Sequence, residues 1–179
     1  MIEYEKLAIN LMRNCREGVL STVSKKYEGY PFGSFVTFIS GADRSIIFYA
    51  SDIAQHTINL KNNSKACITL FNLNEGDKQD SARLSLMGDV KKIDKDVEEI
   101  SRQFIEFFPE SSQYSKMHDF NFYSLNISQV RWIGGFGKIA WLSSTNWNPI
   151  RPKWLKQEKS MIEHMNEDHS NSIVSTPVS

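Results

Sequence analysis

The chain has 179 residues, 40% hydrophobic and 12% aromatic, which is enough for one domain with a buried core and no disulfide staples. Lys and Arg total 21 and Asp and Glu total 21, so the net charge is zero and nothing electrostatic points to nucleic acid or an anionic membrane as partner. The opening MIEYEKLAINLMRNC has early glutamates and no continuous apolar core, unlike a secretory leader, and no apolar run is long enough to span a bilayer. Cys15 and Cys67 lie far apart without C-x-x-C spacing, so a reducing compartment, the cytoplasm, is the expected location.

In chain order, Ile2, Leu7, Ala8, Leu11 and Met12 recur at helical spacing and predict an amphipathic helix over residues 3–16, stopped at Gly18. GVLSTVS (18–24) alternates apolar and polar residues as a half-buried strand does. YEGYPFG reads as turn chemistry, SFVTFIS (34–40) as a second strand, GADR as a turn and SIIFYA (45–50) as a third strand. SDIAQHTINLKNN (51–63) predicts a helix capped by Ser51 or Asp52, with Ile53, Thr57 and Leu60 facing inward. KACITLFNL (65–73) returns to strand and NEGDKQD (74–80) to a polar loop. ARLSLMGDVKKI (82–93) alternates again, with Leu84 and Leu86 on one face and Gly88 marking a bulge.

DKDVEEISRQFIEFF (94–108) predicts a helix whose stripe is Val97, Ile100, Phe104 and Phe107 or Phe108, ended by Pro109. The last strands are FNFYSLNISQVRWI (120–133) and FGKIAWL (136–142), split by Gly134 and Gly135. Beyond Ser143 the composition turns to Ser, Asn, Pro and Trp, which predicts a tail with a short helix from about Lys156 to His169. The expected organisation is a barrel domain over 1–145 and a C-terminal tail over 146–179. Short strands joined by brief turns argue for a mainly β chain with flanking helices, an antiparallel barrel of six or seven strands. So small a barrel has a filled interior, and a ligand belongs outside it or between two copies.

IEHMNEDHSNSIV (162–174) invites comparison with the H-E-x-x-H zinc helix, but His164 and His169 are five apart and point about 140° from each other on a helix. Two ligands to one metal from one helix are thereby disfavoured. One of the two as an axial ligand to a cofactor, with nearby acids supporting it, stands against a solvated, fraying terminus. His56 lies on or beside the mid-chain helix, as a hydrogen-bonded structural residue or a site residue. Asp119, after His118, either caps a turn or orients an imidazole from elsewhere. Arg83, just inside a strand, is a surface cation or a donor to an anion, a propionate or oxygen on iron. The glycines of IGGFGKI precede a strand rather than a helix, so they are no dinucleotide fingerprint, and no G-x-S-x-G elbow is present.

Taken in order, PFGSFVTFIS…SIIFYASDIAQHTINL, SKACITLF, ARLSLMGDV, HDFNFYSLNISQVRWIGGFGKIAWL and MIEHMNEDH resemble the HutZ/HugZ-type haem-utilisation proteins. These belong to the pyridoxamine 5'-phosphate oxidase-like, FMN-binding split-barrel superfamily, and the resemblance runs through nearly the whole chain. It implies a homodimeric split barrel with haem at the subunit interface and oxygen-dependent haem degradation. His164 or His169 would be the iron ligand, and Asp119 the acid that hydrogen-bonds the ligand imidazole across the dimer. His56 would lie near the same interface and Arg83 on the distal side of the iron. The alternatives on the same scaffold are a haem carrier or store and an FMN-dependent oxidoreductase. Flavin oxidases of this superfamily grip FMN phosphate with an Arg-Lys pair at the helix after the third strand. Here the matching stretch is SDIAQH, with no cation before Lys61. His56 and Asp119 near a seam would also make the site respond to mildly acidic pH.

Overall fold

The computed structural model describes residues 2–73, 75–143 and 147. The elements run α1 (Ile2–Asn14), β1 (Glu17–Val23), β2 (Pro31–Ser40), β3 (Ile46–Ser51), α2 (Gln55–Asn62), β4 (Lys65–Asn72), β5 (Ala82–Lys92), α3 (Val97–Phe107), β6 (Phe120–Ile133) and β7 (Ile139–Ser143), with 3-10 turns at Lys78–Asp80 and Pro109–Lys116. They lie in one compact unit, Met1–Asn148. The pairing follows the period-2 pattern of the sequence. β1 joins β2 and β4, β2 joins β3, β4 joins β5, β5 joins β6, and β3 closes on β6, every pair antiparallel. The result is a closed six-stranded barrel with β7 as an extra strand on β6.

The barrel is full. Leu20, Phe38, Phe48, Ile68, Leu84, Leu86, Leu125, Val130 and Trp132 point inward and are buried, and Ala8, Leu11 and Met12 of α1 join the same core. A second, smaller cluster lies on the outside of the sheet, where Phe104 of α3 packs on Ile39 and Phe122 beside Tyr49, Val97, Ile100 and Phe108. Phe108 takes that place rather than Phe107, which is exposed and carries the Arg16 guanidinium 4.3 Å from its ring centre.

β6 works in two halves. Phe120–Leu125 pairs with β3 and Gln129–Ile133 with β7, while β5 runs along both. Between them the register slips: Met87 faces Gln129 but Gly88 faces Ile127, leaving Ser128 as the extra residue of a bulge. The slip changes which residues face inward, from Tyr123 and Leu125 before it to Val130 and Trp132 after it. Gly88 permits this, because a Cβ there would lie 1.9 Å from the Asn126 carbonyl oxygen. The bulge expected at Gly88 is present.

The second helix departs from expectation. It starts at Gln55 behind Ala54, whose methyl group has no acceptor to cap it, and the expected caps Ser51 and Asp52 are bound instead to Asp119 and Tyr123. Ile53 is exposed at 79%, and the inward residues are Thr57, Asn59 and Leu60. Pro109 does end α3, and a 3-10 turn over Pro109–Lys116 follows that the sequence reading did not anticipate. The helix expected near Lys156–His169 lies outside the described residues. No helix among the described residues is long and apolar enough to cross a membrane.

Candidate functional site

Of the site residues expected from sequence, Asp119 and Arg83 fall at the two ends of β6. At its start, the pairing of Ser51 with Phe120 brings the β3–α2 turn against the turn that holds Asp119. The Ser51 hydroxyl donates to Asp119 Oδ2, and the Asp52 backbone N–H donates to the Asp119 carbonyl oxygen at 2.7 Å. No described residue donates to Asp119 Oδ1, so that oxygen is available. Beside it, Asp52 Oδ1 accepts from the Tyr123 hydroxyl at 2.8 Å and from Lys61 Nζ at 3.1 Å. The Tyr123 bond and then the Lys61 charge hold the Asp52 carboxyl below the ordinary carboxylate range. Burial, and then Asp52, push the Tyr123 phenol up. Burial, with the Asp119 charge behind it, does the same to Tyr49.

His56, the second residue of α2, belongs to this end. Its Nε2 is shut off from solvent and has no hydrogen-bond partner, and burial pushes its pKa below the ordinary 6.5. At neutral pH it is therefore a neutral imidazole with an unsatisfied nitrogen. His118, by contrast, is exposed.

The sequence reading missed what fixes α2 in place. Asn59, fully buried, accepts from the Lys25 backbone N–H (3.0 Å) and Gln55 Nε2 (2.9 Å) and donates to Thr22 Oγ1 (3.0 Å). One amide thus ties β1, the β1–β2 loop and α2 together. The clue was a buried-side amide four residues after Gln55 in QHTINL. The GGFGKI motif also has a structural explanation. Asp80 Oδ1 accepts the Phe136 backbone N–H at 2.7 Å, and Gly135, at φ +103°, is the residue that a side chain would bar from that turn.

Arg83 sits at the far end. It faces out of the barrel, with Phe71 of β4 on one side and Ile133 at the end of β6 on the other. Its guanidinium has no hydrogen bond or ion pair with any described residue. β6 is 14 residues long, so at about 3.3 Å per residue Arg83 and Asp119 are on the order of 40 Å apart along it. One chain therefore brings Ser51 and Asp119 together and leaves Arg83 at the other end of β6.

Around Arg83 the outer face of the sheet is apolar and open. Phe35, Val19, Thr69, Ser85, Arg131 and Trp141 form one cross-strand row, and Phe35, Trp141, Phe71 and Ile139 are each about half exposed or more.

The residues present do not suit a flavin phosphate at the turn before α2. Lys61, the only cation of that stretch, is already neutralised by Asp52, and a dianion there would meet the Asp52 carboxylate. His164 and His169 lie outside the described residues, among which no three His, Cys, Asp or Glu side chains gather as a metal site.

Residues 2–148 match the family model described as "CREG, beta-barrel". The chain belongs to the CREG β-barrel family. It is 30% identical over 175 residues to the non-canonical heme oxygenase HOZ, chloroplastic, of Arabidopsis thaliana, covering 90% of this chain and 53% of that protein. The chain thus spans about half the length of that curated relative. Among solved structures, a heme binding protein from Mycobacterium smegmatis superposes with a TM-score of 0.72 at 25% identity, over 80% of this chain and 59% of that one. HutZ from Vibrio cholerae, described as a heme storage protein, superposes with a TM-score of 0.60 at 23% identity, over 71% and 92%. At that identity the likeness to HutZ shows the shared fold, which is the split barrel expected from the sequence.

Proposed function

We propose that the CREG-family barrel binds haem at a seam between two copies of the chain and degrades it with oxygen and an external reductant. The named activity of the 30%-identical relative and the named ligand of the Mycobacterium smegmatis structure support this reading. The observation that carries it is the state of the two ends of β6. Asp119 offers one unoccupied carboxylate oxygen, Arg83 one unpaired guanidinium, and a single chain holds them on the order of 40 Å apart. A two-fold contact through the exposed face around Val19, Phe35 and Phe71 puts one end of each chain beside the other end of its partner.

In this reading His169 or His164 ligates the iron. Asp119 Oδ1 accepts the N–H of that imidazole and strengthens its donation, and the Ser51 hydroxyl on Oδ2 keeps the carboxylate turned correctly. His56, in the helix that follows the Ser51 turn, is a neutral group. Arg83, from the other subunit, would supply a guanidinium donor to an anionic group of the bound ligand. Haem held there would supply the redox-active iron and the oxidisable macrocycle, with electrons drawn from the external reductant.

Haemin titrated into the purified protein tests this. A Soret band whose position changes in His164→Ala or His169→Ala, a dimer in solution, and bleaching of the band by ascorbate under air are expected. Arg83→Gln is expected to keep haem and slow bleaching about tenfold or more. A strict monomer, or a protein that takes up flavin and ignores haemin, overturns the reading. A stable Soret band under ascorbate and air would favour a haem store, the role in the HutZ description, over an enzyme.

A further inference from the structure

We propose that Arg44 is a positioning residue for the C-terminal segment. It clamps Trp147 into the seam between β3 and β7, so that the chain carrying His164 and His169 starts from a fixed point and in a fixed direction. The inference rests on the haem reading above, in which a tail histidine ligates the iron, and adds two residues that the sequence did not single out.

The seam follows from the pairing. β5 runs along one edge of β6 from Tyr123 to Ile133, so β3 and β7 must share the other. On that edge β3 begins with Ile46 opposite Leu125, and β7 ends with Ser143 opposite Gln129. Asn126, Ile127 and Ser128 are left between them, about 13 Å of strand from Leu125 to Gln129 that neither covers. Arg44 stands two residues before β3 and Trp147 four residues after β7, and the two meet. The Arg44 Nη1 donates to the Trp147 carbonyl oxygen at 2.7 Å and to Glu5 Oε1 of α1 at 3.1 Å, with the guanidinium 5.9 Å from the Trp147 ring centre.

Both partners are themselves held. Trp147 is 0% exposed and belongs to the barrel core, although it lies beyond the last strand. Arg44 takes a left-handed φ of +64°, uncommon for a residue with a Cβ, in a turn closed by Gly41 N–H on the Ser45 carbonyl and by Asp43 on Ser45. The compact unit ends one residue later, at Asn148. Shortening the tether is not how the clamp acts: His164 is 17 residues from Trp147 and 21 from Ser143, a difference worth only about 1.4-fold in loop closure. Direction is. Pro149 and Pro152 follow at once, and each fixes its φ near about −65°, so the orientation set at the Trp147 carbonyl carries into the chain beyond.

The test compares haemin with metal-free protoporphyrin IX, which needs no axial ligand, in the full chain. Arg44→Gln is expected to bind haemin about fivefold or more weakly than wild type, with protoporphyrin IX within about twofold and free imidazole restoring the wild-type Soret position. A merely structural role would weaken both porphyrins alike. Inserting Gly-Ser-Gly-Ser between Asn148 and Pro149 leaves the clamp and the barrel untouched. It is expected to weaken haemin to a similar degree, and it carries the test alone if Arg44→Gln does not fold. Haemin affinity unchanged by the insertion overturns the inference. So does an Arg44→Gln protein that binds haemin like wild type, or that loses haemin and protoporphyrin IX together. If His164→Ala or His169→Ala still shifts the Soret band in that case, the positioning role fails alone. If wild type binds neither porphyrin, the haem reading fails and takes this inference with it.

Discussion

At the end of β6 that begins with Phe120, polar groups are bound to one another: Ser51 to Asp119, Tyr123 and Lys61 to Asp52, and nearby Asn59 to three elements at once. At the end that closes with Ile133, Arg83, Arg16 and the Trp132 N–H have no counter-charge or acceptor among the described side chains, though apolar surface surrounds them. Both ends belong to one strand of one barrel, so the contrast does not reflect how well the fold is made. Paired groups hold elements in position, and their loss costs stability. Donors without partners in apolar surroundings cost the folded chain something. His56 Nε2 and Thr57 Oγ1, neighbours in α2, are the exceptions, each buried without a partner among the described residues.

Substitutions can break or sharpen this contrast. The largest effect is expected where both halves depend on one position. Gly88→Ala drives a methyl into the Asn126 carbonyl, and about 3 kcal/mol or more of stability should be lost in urea unfolding. Asn59→Ala leaves the Lys25 N–H and Gln55 Nε2 without their acceptor, and should cost about 2–3 kcal/mol by the same measurement. His56→Gln acts through pH. Burial holds the folded pKa of His56 below 6.5, so the unfolded chain takes up its proton first as pH falls. His56 therefore removes stability progressively as pH drops through 6.5 toward the folded value, and the loss levels off below it. The variant should show a shallower decline between pH 7 and 5. Arg83→Gln, at the unpaired end, should change stability by no more than about 0.5 kcal/mol while still altering haem turnover. A large loss of stability there would show that the two ends do not differ as described.

The fold was largely legible because it is written in short-range periodicity. Alternation gave all seven strands to within a few residues, and Gly88 gave the bulge. What the pattern misassigned was long-range. Ser51 and Asp52 have the chemistry of helix caps, and only the β3–β6 register shows that Asp119 and Tyr123 claim them first. The same holds for the site. Asp119, His56 and Arg83 could be named from local sequence, but the length of strand between two of them cannot be read from residue types. Asn59, Arg44 and Trp147 went unnoticed because a helix amide, a cation in a turn and a tryptophan beyond the last strand are ordinary in those places. What distinguishes them is the partner each has or lacks, which exists only once the chain is folded.

The extra residue at Ser128 has one more consequence. It acts as a change of phase in the middle of a continuous strand, so an insertion or deletion on the β7 side would invert that half alone. Gln129 and Arg131 would then turn into the hydrophobic interior while Tyr123 and Leu125 kept their places. A one-residue change of length on the β7 side would therefore leave the half that closes the barrel onto β3 in register.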